Sequence, residues 1–97
     1  MRKVYLVQNY ALYPCEGYFD TVYVCSTLDD AKVFIETMSL DARKAIDKGE
    51  HHFKRDTCHI EFNENVPEYY GTADYQMCIY DEDGYYDRYW IEEWSVI

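Results

Sequence analysis

The sequence predicts an α+β fold, with an antiparallel sheet of about five strands and one long helix, open to a break into two, packed on one face in the order ββα(α)βββ. Three observations predict it. Runs of β-branched and aromatic residues alternate at period two on both sides of one segment with helical period. The links between successive runs are short, which favours antiparallel neighbours. The chain has 97 residues, the size of a single domain spanning 1–97.

Each element has its own signal. Lys3–Tyr10, KVYLVQNY, is a strand, with Val4 and Leu6 on one face and Tyr5 and Val7 on the other. Residues 11–17 hold Pro14 and Gly17 and read as a loop. Tyr18–Cys25 is a second strand, with Phe19, Thr21, Tyr23 and Cys25 alternating against Asp20, Val22 and Val24. The period then changes. Ser26 and Thr27 offer a hydroxyl cap, and Asp29 and Asp30 place carboxylates in a first helical turn. Leu28, Ala31, Ile35, Met38, Ala42 and Ala45 step by three and four, with Phe34 and Ile46 widening the stripe. Lys48 and Gly49 mark the stop, and Ser39-Leu40-Asp41 offers a second cap where the helix could break. Residues 51–56 are polar and basic. Thr57–Phe62 alternates as a strand, and residues 63–72 form a loop with Pro67 and Gly71. Asp74–Tyr80 and Tyr85–Val96 are strands joined by the turn Asp81-Glu82-Asp83-Gly84, a hairpin in which Gly84 can take positive φ.

Charge is distributed unevenly. From Glu61 to Ile97 ten carboxylates face one base, Arg88, a net of −9, while residues 1–60 hold nine acids and eight bases, a net of −1, out of −10 overall. Such a chain repels nucleic acid and anionic membrane and attracts basic proteins. Twelve tyrosines and 19% aromatic content argue against disorder and for a surface that meets partners. No apolar run is long enough to span a membrane, and no signal peptide is expected. Cys15, Cys25, Cys58 and Cys78 form no CxxC pair, which suits a cytoplasmic protein with four free thiols.

Around the last hairpin, Tyr80, Tyr85, Tyr86, Tyr89, Trp90 and Trp94 interleave with Asp81, Glu82, Asp83, Asp87, Glu92 and Glu93. Same-face residues on a strand recur every ~6.8 Å, close to the phosphate repeat along a DNA strand, so carboxylates on adjacent strands can imitate a phosphate row. The competing reading is an ordinary solvated face. DEDG resembles part of a calcium loop, but Gly84 falls at the fourth place and no helices flank it. His51, His52, Cys58 and His59 have zinc-like chemistry without the usual paired spacing. No nucleophile elbow, phosphate loop or metal-hydrolase motif occurs. The expectation is a non-enzyme with no catalytic residue, metal or cofactor.

The stretch TVYVCSTLDDAKVFIE, Thr21–Glu36, is similar to a strand–cap–helix pattern of small uncharacterised bacterial and phage domains, which open with a strand like KVYLV and close with one like IEEWSVI. Size, acidity and aromatic content resemble small phage-encoded anti-defence proteins, anti-CRISPR inhibitors among them. The resemblance implies occupation of the nucleic-acid groove of a Cas-type nuclease in the host cytoplasm.

The expected function is therefore that of an acidic interaction protein, a DNA mimic that blocks a basic nucleic-acid-binding protein and does not itself bind nucleic acid. The carboxylates expected to bind the partner are Glu64, Glu68, Asp81, Glu82, Asp83, Asp87, Glu92 and Glu93, with Tyr85, Tyr86 and Trp90 as anchors. Reversing Asp81, Asp83 and Asp87 to Lys is expected to leave the fold intact. The alternative is a non-catalytic accessory domain that homodimerises through an exposed strand or aromatic surface.

Overall fold

A computed structural model describes residues 2–12, 17–62 and 75–96. The elements are β1 (Arg2–Leu12), β2 (Gly17–Cys25), α1 (Leu28–Asp47), β3 (Cys58–Phe62), β4 (Gln76–Asp81) and β5 (Tyr86–Val96). The five strands form one sheet in the order β2-β1-β5-β4-β3, antiparallel at every pair. The α+β class and the element order follow the sequence reading. The strand order adds what sequence cannot supply: β5 inserts between β1 and β4. Its ladder with β1 runs unbroken from Arg2↔Val96 to Leu12↔Tyr86.

Helix α1 covers one face. Ala31 and Ile35 are fully buried, and with Ile46 they meet Val7, Met77, Ile79, Tyr89 and Ile91 from the three central strands. Cys58 joins from β3, and Phe53 seals the end from the segment before it. Leu28 and Met38 are half-buried at the margin of the stripe.

The helix ends are built as the sequence indicates. Thr27 is the N-cap, its hydroxyl accepting from the Asp30 N–H at 3.2 Å. Beyond the C-cap Lys48, Gly49 takes φ +73°, its N–H reaches Ile46 O at 3.1 Å, and the Glu50 N–H reaches Ala45 O at 2.9 Å, the Schellman pattern. The helix does not break at Ser39. That side chain is buried, and its hydroxyl donates to Glu36 O at 2.7 Å, so it is satisfied inside the helix and does not cap a new one.

Strand β2 departs from simple alternation. Tyr23 pairs with Val7, but Thr21 pairs with Gln8, so the register passes over Val22 in a β-bulge. Beyond the bulge the faces exchange. Tyr23 lies under the helix, stacked on Phe34 at 4.5 Å, whereas Phe19 lies on the opposite face against Trp90 at 5.7 Å. Phe19 and Tyr23 therefore do not share a face, because one extra residue shifts parity along the strand. At the start of β2, the Tyr10 ring occupies the space a Cβ on Gly17 would need.

Replacing Ile35 by Ala should destabilise the domain by about 2–5 kcal/mol, since the site is fully buried among packed neighbours. Thr27→Ala should cost about 1 kcal/mol through the lost cap. Urea denaturation of both variants checks the order of the two effects.

Candidate functional site

Tyr89 and Ile91 belong to the core under α1, so by alternation Tyr86, Arg88, Trp90, Glu92 and Trp94 project from the opposite, helix-free face of β5. Their cross-strand neighbours are Leu12, Tyr10, Gln8, Leu6 and Val4 on β1, and Tyr80, Cys78 and Gln76 on β4. Of the eleven residues expected to bind a partner, the nine that lie among the described residues are placed very differently.

Glu82 and Asp83 form the exposed tip of the β4–β5 hairpin. Asp81 is half-buried and serves the turn itself: its Oδ1 accepts from the N–H of Asp83 at 2.9 Å and of Tyr85 at 3.1 Å. Gly84 closes the loop at φ +91°, a left-handed position that favours glycine. Tyr85 is half-buried against the core, and Tyr86 lies half-buried beneath Arg88, whose guanidinium carbon sits 4.9 Å from its ring centroid. Glu64 and Glu68 lie outside the described residues.

Two expected surface residues are internal. Asp87 is only 7% exposed, on the helix side of the sheet, where Asn9 Nδ2 donates to its Oδ1 and also to Arg88 O at 3.0 Å. Trp90, also 7% exposed, packs under Phe19. Strand parity sends Asp87 toward the core, so it cannot extend a solvent-facing row of carboxylates. Charge reversal at Asp81 or Asp87 therefore attacks the turn or the interior, and only Asp83 of that trio is open to a clean exchange.

Glu92 and Glu93 have local duties. Glu92 accepts from both indoles, Trp90 Nε1 to Oε2 and Trp94 Nε1 to Oε1, each at 3.2 Å. Glu93 accepts from the Tyr5 hydroxyl at 3.1 Å and pairs with Lys3 at 3.5 Å. The carboxylates of β5 are thus tied into the sheet, and the solvated acids of the hairpin concentrate at its tip.

Beside that tip is a cleft of about 280 Å³ lined by Cys78, Tyr80, Asp81, Gly84, Tyr85, Tyr86 and Arg88. Burial pushes the Cys78 thiol up, against the opposing influence of the Arg88 charge and hydrogen bond. Desolvation and then a hydrogen bond to Glu61 push the Tyr80 phenol up. The cleft brings together Asp81, Tyr85 and Tyr86 from the expected binding residues with Tyr80 from the wider aromatic set of the hairpin, and adds Arg88. Arg88 could have been placed from sequence, because it shares strand parity with Tyr86 and Trp90. Its burial at 4% exposure could not.

The zinc-like cluster is dispersed. Cys58 is buried in the helix-side core, while His59 is exposed and stacks on Tyr80 at 5.2 Å across the sheet edge. His51 and His52 stack on one another at 4.3 Å, and His51 Nδ1 accepts from the Phe53 N–H at 3.1 Å. Among the described residues, Cys25, Cys58 and Cys78 are free thiols, while Cys15 lies outside them. No described helix is long and apolar enough to cross a membrane. No family model, curated protein or solved structure matches the chain.

Desolvation lowers the pKa of both His51 and His52, and the nearby His52 lowers His51 further, against a raising influence from Asp87. With folded values below the unfolded ~6.5, the unfolded chain binds more protons as pH falls through that range, so stability drops on acidification from about pH 7 toward 5. The double variant His51→Asn/His52→Gln should show a flatter dependence of the urea midpoint over that window. Thiol labelling of the native protein should modify Cys25 well before Cys58 and Cys78, and denaturant should equalise the three. Rapid native labelling of Cys78 would contradict its burial at 1% exposure.

Proposed function

We propose that this protein is an acidic interaction protein that occupies a basic, nucleic-acid-binding surface of another protein and blocks it. The observation that carries this reading is the exposed Glu82–Asp83 tip beside a cleft walled by Tyr80, Tyr85 and Tyr86, on a chain of net charge −10. Carboxylates at the tip would pair with Arg and Lys of the partner, and tyrosine faces beside them would take guanidinium groups by stacking. Glu61 and Glu92, both half-buried on the same sheet face, extend the negative field. The mimicry of nucleic acid is one of field and competition more than of a regular phosphate row, since Asp87 turns inward and Glu93 is paired with Lys3.

A Cas9-type nuclease is the first partner to test, on the resemblance of size, acidity and aromatic content to phage-encoded inhibitors. The second reading, a homodimeric accessory domain, has one observation in its favour: β2 is an exposed terminal strand.

The test is displacement of fluorescent DNA from the nuclease at two salt concentrations. Exposed charge pairs are screened within ~8 Å at physiological ionic strength, so inhibition should weaken steeply as salt rises. Glu82→Lys/Asp83→Lys should weaken it about tenfold or more with the circular dichroism spectrum unchanged. Displacement indifferent to both salt and the double reversal would remove the acidic tip from the binding face.

A further inference from the structure

Strand β2 ends the sheet with only β1 as its neighbour, so one side of its backbone carries N–H and C=O groups that no described strand pairs. Natural edges are usually protected by brevity, by lysine, by proline or by a bulge. Edge β3 is short at five residues. Edge β2 runs for nine residues, Gly17–Cys25, and contains no lysine, arginine or proline. Its protective devices are the single charge of Asp20 and the bulge at Val22. Tyr18, Phe19 and Val24 are 60%, 57% and 58% exposed, so the strand offers apolar surface to solvent.

The side chains along this edge are sorted by face. Phe19 and Val24 lie on the helix-free side, as shown by the Phe19–Trp90 contact and the Val24↔Leu6 pair. Asp20, paired with Asn9, lies on the helix side. Tyr18 and Tyr23, paired with Ala11 and Val7, share the helix side with Asp20, and Thr21 shares the other side with Phe19 and Val24. An added strand would therefore meet a carboxylate between tyrosines on one face and mostly apolar neighbours on the other.

We infer that β2 accepts an extended, basic segment of the partner as a sixth strand, with Lys or Arg alternating against aliphatic residues. This inference rests on the proposed function for the partner's charge, and names how the partner is held. Charge complementarity decides the occupant. A second copy would bring another −10 to this edge, whereas a strand with cations on its helix-side face is drawn to Asp20. Main-chain hydrogen bonds supply attachment, and the alternate side chains supply selectivity.

The experiment uses a synthetic alternating Lys/Val peptide of about eight residues, a common strand length, with an alternating Glu/Val peptide as the charge control. Backbone amide hydrogen exchange of residues 17–25 is the readout. The Lys/Val peptide should slow exchange in β2 and the Glu/Val peptide should not. Asp20→Lys/Val24→Lys, both exposed positions, should weaken the Lys/Val effect about tenfold while the rest of the exchange pattern stays native. No slowing in β2, or equal slowing by both peptides, overturns the inference. Slowing that grows with protein concentration in the absence of peptide identifies a second copy and also overturns it. The two readings fail separately. Displacement of nuclease-bound DNA without β2 protection removes the edge mode alone, whereas β2 protection without displacement supports the edge mode and removes the proposed function.

Discussion

The ladder between β1 and β5 is the interaction on which the rest of the domain depends. It joins the two longest strands of the sheet, and the fully buried Val7 and Ile91 face each other across it. The helix has its apolar floor there. Strand β4 reaches β1 only through β5, and β2 reaches the rest only through β1. Because the paired residues are separated by most of the chain, this ladder closes a long loop, and non-local pairing of that kind makes folding slow compared with helical domains.

A second constraint is charge. Ten more acids than bases must be accommodated in a small domain whose core is thin. The structure does this by giving several carboxylates a mechanical task. Asp81 holds the hairpin turn, Asp87 anchors Asn9 across the β1–β5 pair, Glu93 ties down Lys3 and Tyr5, and Glu36 accepts from the Tyr75 hydroxyl at 3.0 Å. Desolvation and that last hydrogen bond push the Tyr75 phenol up to about 12. Carboxylates engaged in this way rigidify the frame, and the exposed hairpin tip keeps its carboxylates in solvent.

Much of the fold was legible because its signals are local. The Thr27 cap, the three-and-four stripe through Ile35, the Gly49 stop and the Gly84 turn each depend on neighbours a few residues away. The site was less legible because it depends on parity and pairing. Asp87 looked like a surface charge in a list of acids, and nothing local to Glu93 announced its tie to Lys3 and Tyr5. Their positions follow only once Tyr89 and Ile91 are known to face the helix, which places both on that side. The exchange of faces at Val22 was invisible because a bulge leaves no mark in an alternating apolar run. Ser39 misled for a related reason: a hydroxyl that caps a helix in one context bonds back within the helix in another.

The shared carboxylate of Glu92 has an optical consequence. It holds two indoles of unlike surroundings, Trp90 at 7% exposure and Trp94 at 55%, on one stretch of β5. They are the only tryptophans of the chain. Intrinsic fluorescence of this protein is therefore a superposition of a blue-shifted, shielded emitter and a red-shifted, quencher-accessible one. Both report on the seating of a single strand, so the protein carries its own spectroscopic gauge of whether the middle of its sheet is in place.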